Sequence, residues 1–192
     1  MACDASVSGP NAGPGSPSPS STTSPAQAAP TTSRTGENET EDYSRLLLQP
    51  ADISNAEDTF VVRSTSPVPD GLPGASALFV NGEDTRAISD TIVIYPDAAT
   101  AARTLRDALP TIDTVVTGAT PRPAPVGTDG TMAVGTTPDG SKAATLLLFT
   151  EGPALVRLEF QSAPGDATTD DYVVNVGKMQ QIALRTALNP AQ

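Results

Sequence analysis

Residues 143–162 read AATLLLFTEGPALVRLEFQS, and this stretch decides the fold class. In its second half Leu155, Arg157, Glu159 and Gln161 point one way, while Val156, Leu158 and Phe160 point the other. A period of two is that of a half-buried strand, and the apolar set is the inward one. Ala143 to Thr150 reads as the preceding strand, joined through the turn Glu151-Gly152-Pro153. Upstream, Thr131 to Thr137 leads into a further turn, Pro138-Asp139-Gly140-Ser141. Strands joined by tight turns make an antiparallel meander, with one face partly wet.

Working toward the N-terminus, Thr114 to Thr117 is β-branched and reads as a short strand before a Pro/Gly-rich loop at 118–127. Residues 97–109 are alanine-rich and helical, with Asp97 as cap and Pro110 as stop. Ala98, Ala101, Ala102, Leu105, Ala108 and Leu109 share one face of that helix. Three further strands are predicted at 58–64, 76–81 and 87–95, the second ending in the turn pair Asn81-Gly82. Leu46-Leu47-Leu48 followed by Pro50 reads as a short helix or turn docked on the core. Toward the C-terminus, 169–188 reads as a helix capped at Thr168 or Thr169, with Tyr172, Val176, Met179, Ile182, Ala183 and Leu188 on its apolar stripe. Gly177 weakens its centre by about 1 kcal/mol relative to alanine. The predicted class is α+β: an antiparallel meander against two helices, about 97–109 and 169–188.

Residues 1–42 differ in kind. They are Pro, Ser, Thr, Gly and Ala with almost no larger aliphatic residue, and they end in the acidic run Glu37-Asn38-Glu39-Thr40-Glu41-Asp42. Such a chain buries too little apolar surface to offset its ordering entropy, so a disordered tether is expected. The predicted division is a tether at 1–42 and a single domain at 43–192.

Composition removes several functions. Of 192 residues, 22 are Asp or Glu and 11 are Lys or Arg, a net charge of −11. That sign repels phosphate, so no nucleic-acid partner is expected. Histidine is absent, which removes Ser-His-Asp and Cys-His nucleophile pairs and ordinary His-ligated zinc. One cysteine allows no internal disulfide. No cofactor and no catalytic residue is expected. The carboxylate groups Glu37/Glu39/Glu41/Asp42 and Asp166/Asp170/Asp171 read as solvated charge without a metal-binding pattern. Arg103, Arg106, Arg122 and Lys142 read as scattered surface cations.

Cys3 has three readings: an accidental exposed thiol, a redox or crosslinking thiol, or a lipidation site. Its neighbours offer no core to bury it. Asp4 beside it disfavours the thiolate that a redox thiol needs. A small residue before it (Ala2) and a polar tether behind it fit a lipid anchor. Ala2-Cys3 with this tether resembles the mature start of a bacterial lipoprotein of actinobacterial, mycobacterial type. The resemblance implies placement on the outer face of the cell membrane through lipid on Cys3. A signal segment and the rest of the lipobox are then expected upstream of Met1; with Met1 as the true start, the chain would stay in the cytoplasm. By the same resemblance, Thr22, Thr23, Thr31 and Thr32 are possible O-glycosylation sites, against plain linker threonines. Asn38-Glu39-Thr40 matches a sequon that matters only in a eukaryotic secretory path.

The element order, with the lead Pro125-Val126-Gly127 into the meander ending at Ser162, resembles PsbP-like mycobacterial lipoproteins with an α/β/α sandwich. This implies a non-catalytic role, binding a partner protein or an apolar envelope ligand. Two alternatives stay open. One is a lipid carrier, hollow between sheet and helices and lined by residues such as Leu105, Leu146, Leu148, Val156 and Leu158. The other is an enzyme built on carboxylates, or a plain soluble protein.

Overall fold

The structure, a computed structural model, describes residues 42–67 and 69–188, all within the unit Asn38–Gln192. Among the described residues are seven strands: β1 (Phe60–Ser66), β2 (Gly74–Asn81), β3 (Ala87–Ile94), β4 (Arg122–Pro123), β5 (Thr128–Thr136), β6 (Ala143–Glu151) and β7 (Ala154–Ser162). They carry three α-helices: α1 (Pro50–Ile53), α2 (Ala98–Ala108) and α3 (Asp170–Leu188). The strands form one open sheet in the order β1-β2-β3-β7-β6-β5-β4, antiparallel at every pairing. The α+β class is the one observed. After β3 the chain leaves through α2 to the far edge, then walks back as β5, β6 and β7 until β7 lies against β3.

Burial along the deciding stretch follows from what covers it. β6 is buried from Ala143 to Thr150, because α2 contacts it from one side and α3 from the other. On β7, Val156, Leu158 and Phe160 are buried and Arg157 is exposed, in the period of two that the sequence predicts. The larger core lies on the α3 side, where Phe79, Ile92, Phe149, Val156 and Phe160 meet Val173, Val176 and Leu184. A smaller core on the other side joins Leu105, Ile112 and Val116 to Ala133, Leu146 and Leu148.

The run Leu46-Leu47-Leu48 is wholly buried. It leads from a three-ten turn at Tyr43–Leu46 as a strap across the α3 side. Two buried polar side chains pin it: Gln180 donates through Nε2 to the Leu46 carbonyl at 2.8 Å, and Asp90 accepts the Leu48 N–H on Oδ2 at 3.2 Å.

That strap explains a difference from the predicted stripe of α3. The buried face is Val173, Val176, Gly177, Gln180 and Leu184, while Ile182 is 62% exposed. A pattern of apolar residues cannot include Gln180, which is buried only because a backbone carbonyl waits for it. Thr114 to Thr117 also differs. Pro110 starts a three-ten turn that runs Leu109–Thr114, and only Thr117 bridges to Thr136. The Pro/Gly loop hides the two-residue strand β4, which pairs Arg122 with Met132 and Pro123 with Thr131.

The β2–β3 connection is organised by Asn81. Its Oδ1 accepts from the N–H groups of Thr85 and Arg86 at 2.9 and 3.0 Å. Its Nδ2 donates to Asp58 Oδ1 at 2.7 Å and to Thr85 Oγ1 at 3.0 Å. Asn81→Ala strands these partners and is expected to cost about 2 kcal/mol, lowering Tm by about 4–8 °C in a thermal melt.

Candidate functional site

Cys3, Thr22, Thr23, Thr31 and Thr32 lie outside the described residues. The five leucine and valine positions read as lining one hollow are all buried, but they do not share a wall. Cross-strand partners share a face, and β6–β7 pairs Leu147 with Leu158 and Phe149 with Val156. Val156 and Leu158 therefore sit on the α3 side, while Leu146 and Leu148 sit with Leu105 on the α2 side. The sheet separates them, and of the five only Leu105 borders an open depression.

Two depressions hold chemistry. The first, about 220 Å³, lies where β1, β3 and β7 meet the first turn of α3. Phe60, Ile88 and Phe160 form its apolar part. Arg86 crosses its polar part, pairing through Nε with Asp58 Oδ2 at 3.1 Å and through Nη2 with Asp166. Tyr172 stands edge-on to Phe160, centroids 6.2 Å apart at 78°, and donates its hydroxyl to the Ile53 carbonyl. Burial, with the Asp58 charge behind it, pushes the Tyr172 phenol up to about 12. The three charged groups and the phenol thus bind one another. The cluster ties β1, the loop before α3 and α1 together, and it presents no nucleophile–base pair.

The second depression is an open groove of about 540 Å³ between α2 and the β4–β5 edge. Leu105, Arg106 and Leu109 come from the helix side, and Pro121, Arg122, Pro123, Asp129, Gly130 and Thr131 from the other. Its floor depends on an irregularity in β5. The register shifts between Thr128 and Thr131, with Asp129 at φ 54°. There the Ala124 N–H donates to the Gly130 carbonyl at 2.8 Å. A Cβ on Gly130 would stand 2.3 Å from the Val126 carbonyl oxygen and 2.5 Å from that of Ala124, so the close approach requires glycine. The volume falls within the range of small-molecule sites, about 300–1,000 Å³.

The carboxylates Asp166 and Asp170 are engaged by arginines, Asp166 by Arg86 and Asp170 by Arg122. No group of three or more acids, cysteines or histidines gathers to hold a metal among the described residues. No helix among them is long and apolar enough to cross a membrane. Asp90 is the buried acid. Its Oδ1 has no hydrogen-bond partner, and burial pushes its carboxyl up to about 7 despite the bond from Leu48.

Fold and groove together define an α+β domain with an open antiparallel sheet, helices on both faces and a ligand-sized depression at one edge. No protein-family model matches the chain, and no curated protein matches it. Among solved structures the fold is similar to the crystal structure of the extracellular domain of PknH from Mycobacterium tuberculosis. The TM-score is 0.54 and the identity 10%, over 76% of this chain and 96% of that one. At that identity the likeness concerns the fold.

Proposed function

We propose that this chain is a lipid-anchored envelope protein on the outer face of the cell membrane, whose α+β domain binds an apolar ligand without catalysing a reaction. The observation that carries the binding reading is the groove walled by Leu105, Leu109, Pro121 and Pro123. The anchor reading is supported by Cys3 behind a small residue and ahead of a Pro/Ser/Thr tether. It is also in keeping with the extracellular placement of the PknH domain whose fold is similar. The sequence resemblance to PsbP-like lipoproteins points the same way. Absence of histidine from the whole sequence, and mutual pairing of the charged groups in the polar cavity, favour binding over catalysis.

The test is a titration of the full chain with N-phenyl-1-naphthylamine, an uncharged apolar fluorophore. One saturable site with blue-shifted emission is expected. Leu109→Gln, which places an amide on the apolar wall, weakens it by about tenfold. Absence of saturable binding, or binding untouched by Leu109→Gln and by the loop variant Pro121→Glu, overturns the groove reading. The anchor is tested separately by mass spectrometry of the N-terminal peptide from native protein. A diacylglyceryl thioether on Cys3 is expected, and a free thiol there overturns it.

A second reading, recognition of a partner protein, rests on β1. This edge strand leaves Val61 53% and Val62 45% exposed, and an edge strand offers unpaired backbone groups to an incoming chain.

A further inference from the structure

We infer that the ligand of the α2/β4–β5 groove is a long-chain anionic amphiphile, its tail along Leu105, Leu109, Pro121 and Pro123 and its acidic head between Arg106 and Arg122. This rests on the reading of the groove as an apolar-ligand site and adds the charge of the ligand to it.

The argument is one of local charge against global charge. The chain carries −11, with twice as many acids as bases, so its surface at large repels anions. The charged groups lining the groove are Arg106, Arg122 and Asp129, a local sum of +1. The arginines also have donors to spare. Arg106 has no hydrogen bond or ion pair among the described residues. Arg122 meets Asp170 through a single nitrogen, Nη2, 2.7 Å from each carboxylate oxygen. Its Nε and Nη1 have no partner among the described residues. The polar cavity at the other end of the sheet is the contrast, since there Arg86 is committed to two carboxylates.

Guanidinium geometry suits the task. Its planar fork of donors matches a carboxylate or phosphate oxygen pair. The arginine stems lie along apolar surface while the heads stay at the water boundary. The two arginines come from opposite walls, Arg106 from α2 and Arg122 from β4, with the leucines and prolines alongside. An uncharged lipid would leave those donors in water, and a cation would meet net positive charge. Asp129 opposes an anion and so supplies a control. It already sits at a left-handed φ that asparagine adopts readily, so Asp129→Asn removes the charge without straining the turn.

The experiment displaces N-phenyl-1-naphthylamine from the full chain with palmitate below its micelle concentration, with methyl palmitate alongside. Palmitate is expected to displace the probe at about tenfold lower concentration than the ester. Arg106→Gln removes most of that preference while leaving displacement by the ester unchanged. Asp129→Asn increases it, a gain that a damaged fold does not imitate. High salt narrows the gap between acid and ester. Equal displacement by acid and ester, insensitive to Arg106→Gln and Asp129→Asn, overturns the anionic assignment while the apolar groove stands. Failure of the uncharged probe itself to bind overturns the groove reading and this one with it.

Discussion

Between about pH 4 and about pH 7 one side chain, Asp90, withdraws about 4 kcal/mol from the stability of the domain. It sits on β3 facing the α3 side, opposite Ala77 of β2 and Leu158 of β7. It is fully buried, with one hydrogen bond, from the Leu48 N–H to Oδ2, and no partner for Oδ1. Desolvation raises its carboxyl from the ordinary 3.8 to about 7, outweighing the bond from Leu48. The sign follows from proton counting. Below about pH 4 the carboxyl is protonated folded or unfolded, and it costs nothing. From there to about pH 7 the folded chain keeps a proton that the unfolded chain has lost, so stability falls as pH rises. Above that both states are ionised and the full loss persists. Asp90→Asn keeps an acceptor for Leu48 and removes the titration. Urea unfolding across this range is expected to show a slope in the parent that the variant lacks, by up to about 1.4 kcal/mol per pH unit. An amide hydrogen left unbonded at Oδ1 costs the variant about 1–3 kcal/mol at every pH, so slope rather than level is the readout. Parallel pH profiles for the two proteins would sink the assignment. Because Leu48 belongs to the strap, its amide protons are expected to exchange faster at high pH in the parent than in Asp90→Asn.

Much of the fold is legible because the strongest patterns lie where the sheet is most regular. Residues 154–162 alternate, and their strand has matching bounds in the structure. Asp97 caps α2 as the sequence predicts, accepting the Thr100 N–H at 2.7 Å. What was not legible has a common cause: the deciding partner is distant in sequence. Gln180 belongs to the buried face of α3 only because Leu46 offers it a carbonyl 134 residues away. β4 is two residues between prolines, too short for any period, and exists because Met132 and Thr131 lie beside it. Leu146, Leu148, Val156 and Leu158 all read as inward, but the sheet has two insides, and only register assigns each leucine to one. The groove shares this limit. Leu105, Leu109 and the 121–131 segment meet only once α2 has carried the chain to the far edge of the sheet. Arg106 and Arg122 read as scattered cations for the same reason.

Leu147→Ala costs about 2–5 kcal/mol, and adding Gly177→Ala to it restores part of the loss. The sequence shows only that Gly177 weakens a helix of nineteen residues. The structure shows why it is there. A Cβ at 177 would stand 2.5 Å from Leu147 Cδ2 and 3.1 and 3.3 Å from the two γ-methyls of Val126. Leu147 is fully buried and Val126 nearly so, so neither has free space to retreat into. In the parent, Gly177→Ala is worth about 1 kcal/mol to the helix. Against that stands an overpacked contact between α3 and β6, which costs about 1–3 kcal/mol. The net expectation is destabilisation. Leu147→Ala removes the atom that clashes and leaves a cavity below the helix. Gly177→Ala then adds its methyl into space, gaining helix propensity and refilling part of the void. The same substitution therefore changes sign between the two backgrounds. Urea unfolding of the four proteins in this cycle measures the coupling, expected at about 2–3 kcal/mol. If Gly177→Ala has the same effect in both backgrounds, α3 does not rest on β6 as closely as these distances require. Glycine at this position sets the height of a helix above its sheet, and its cost to the helix is the condition for Leu147 and Val126 to fill the layer between them.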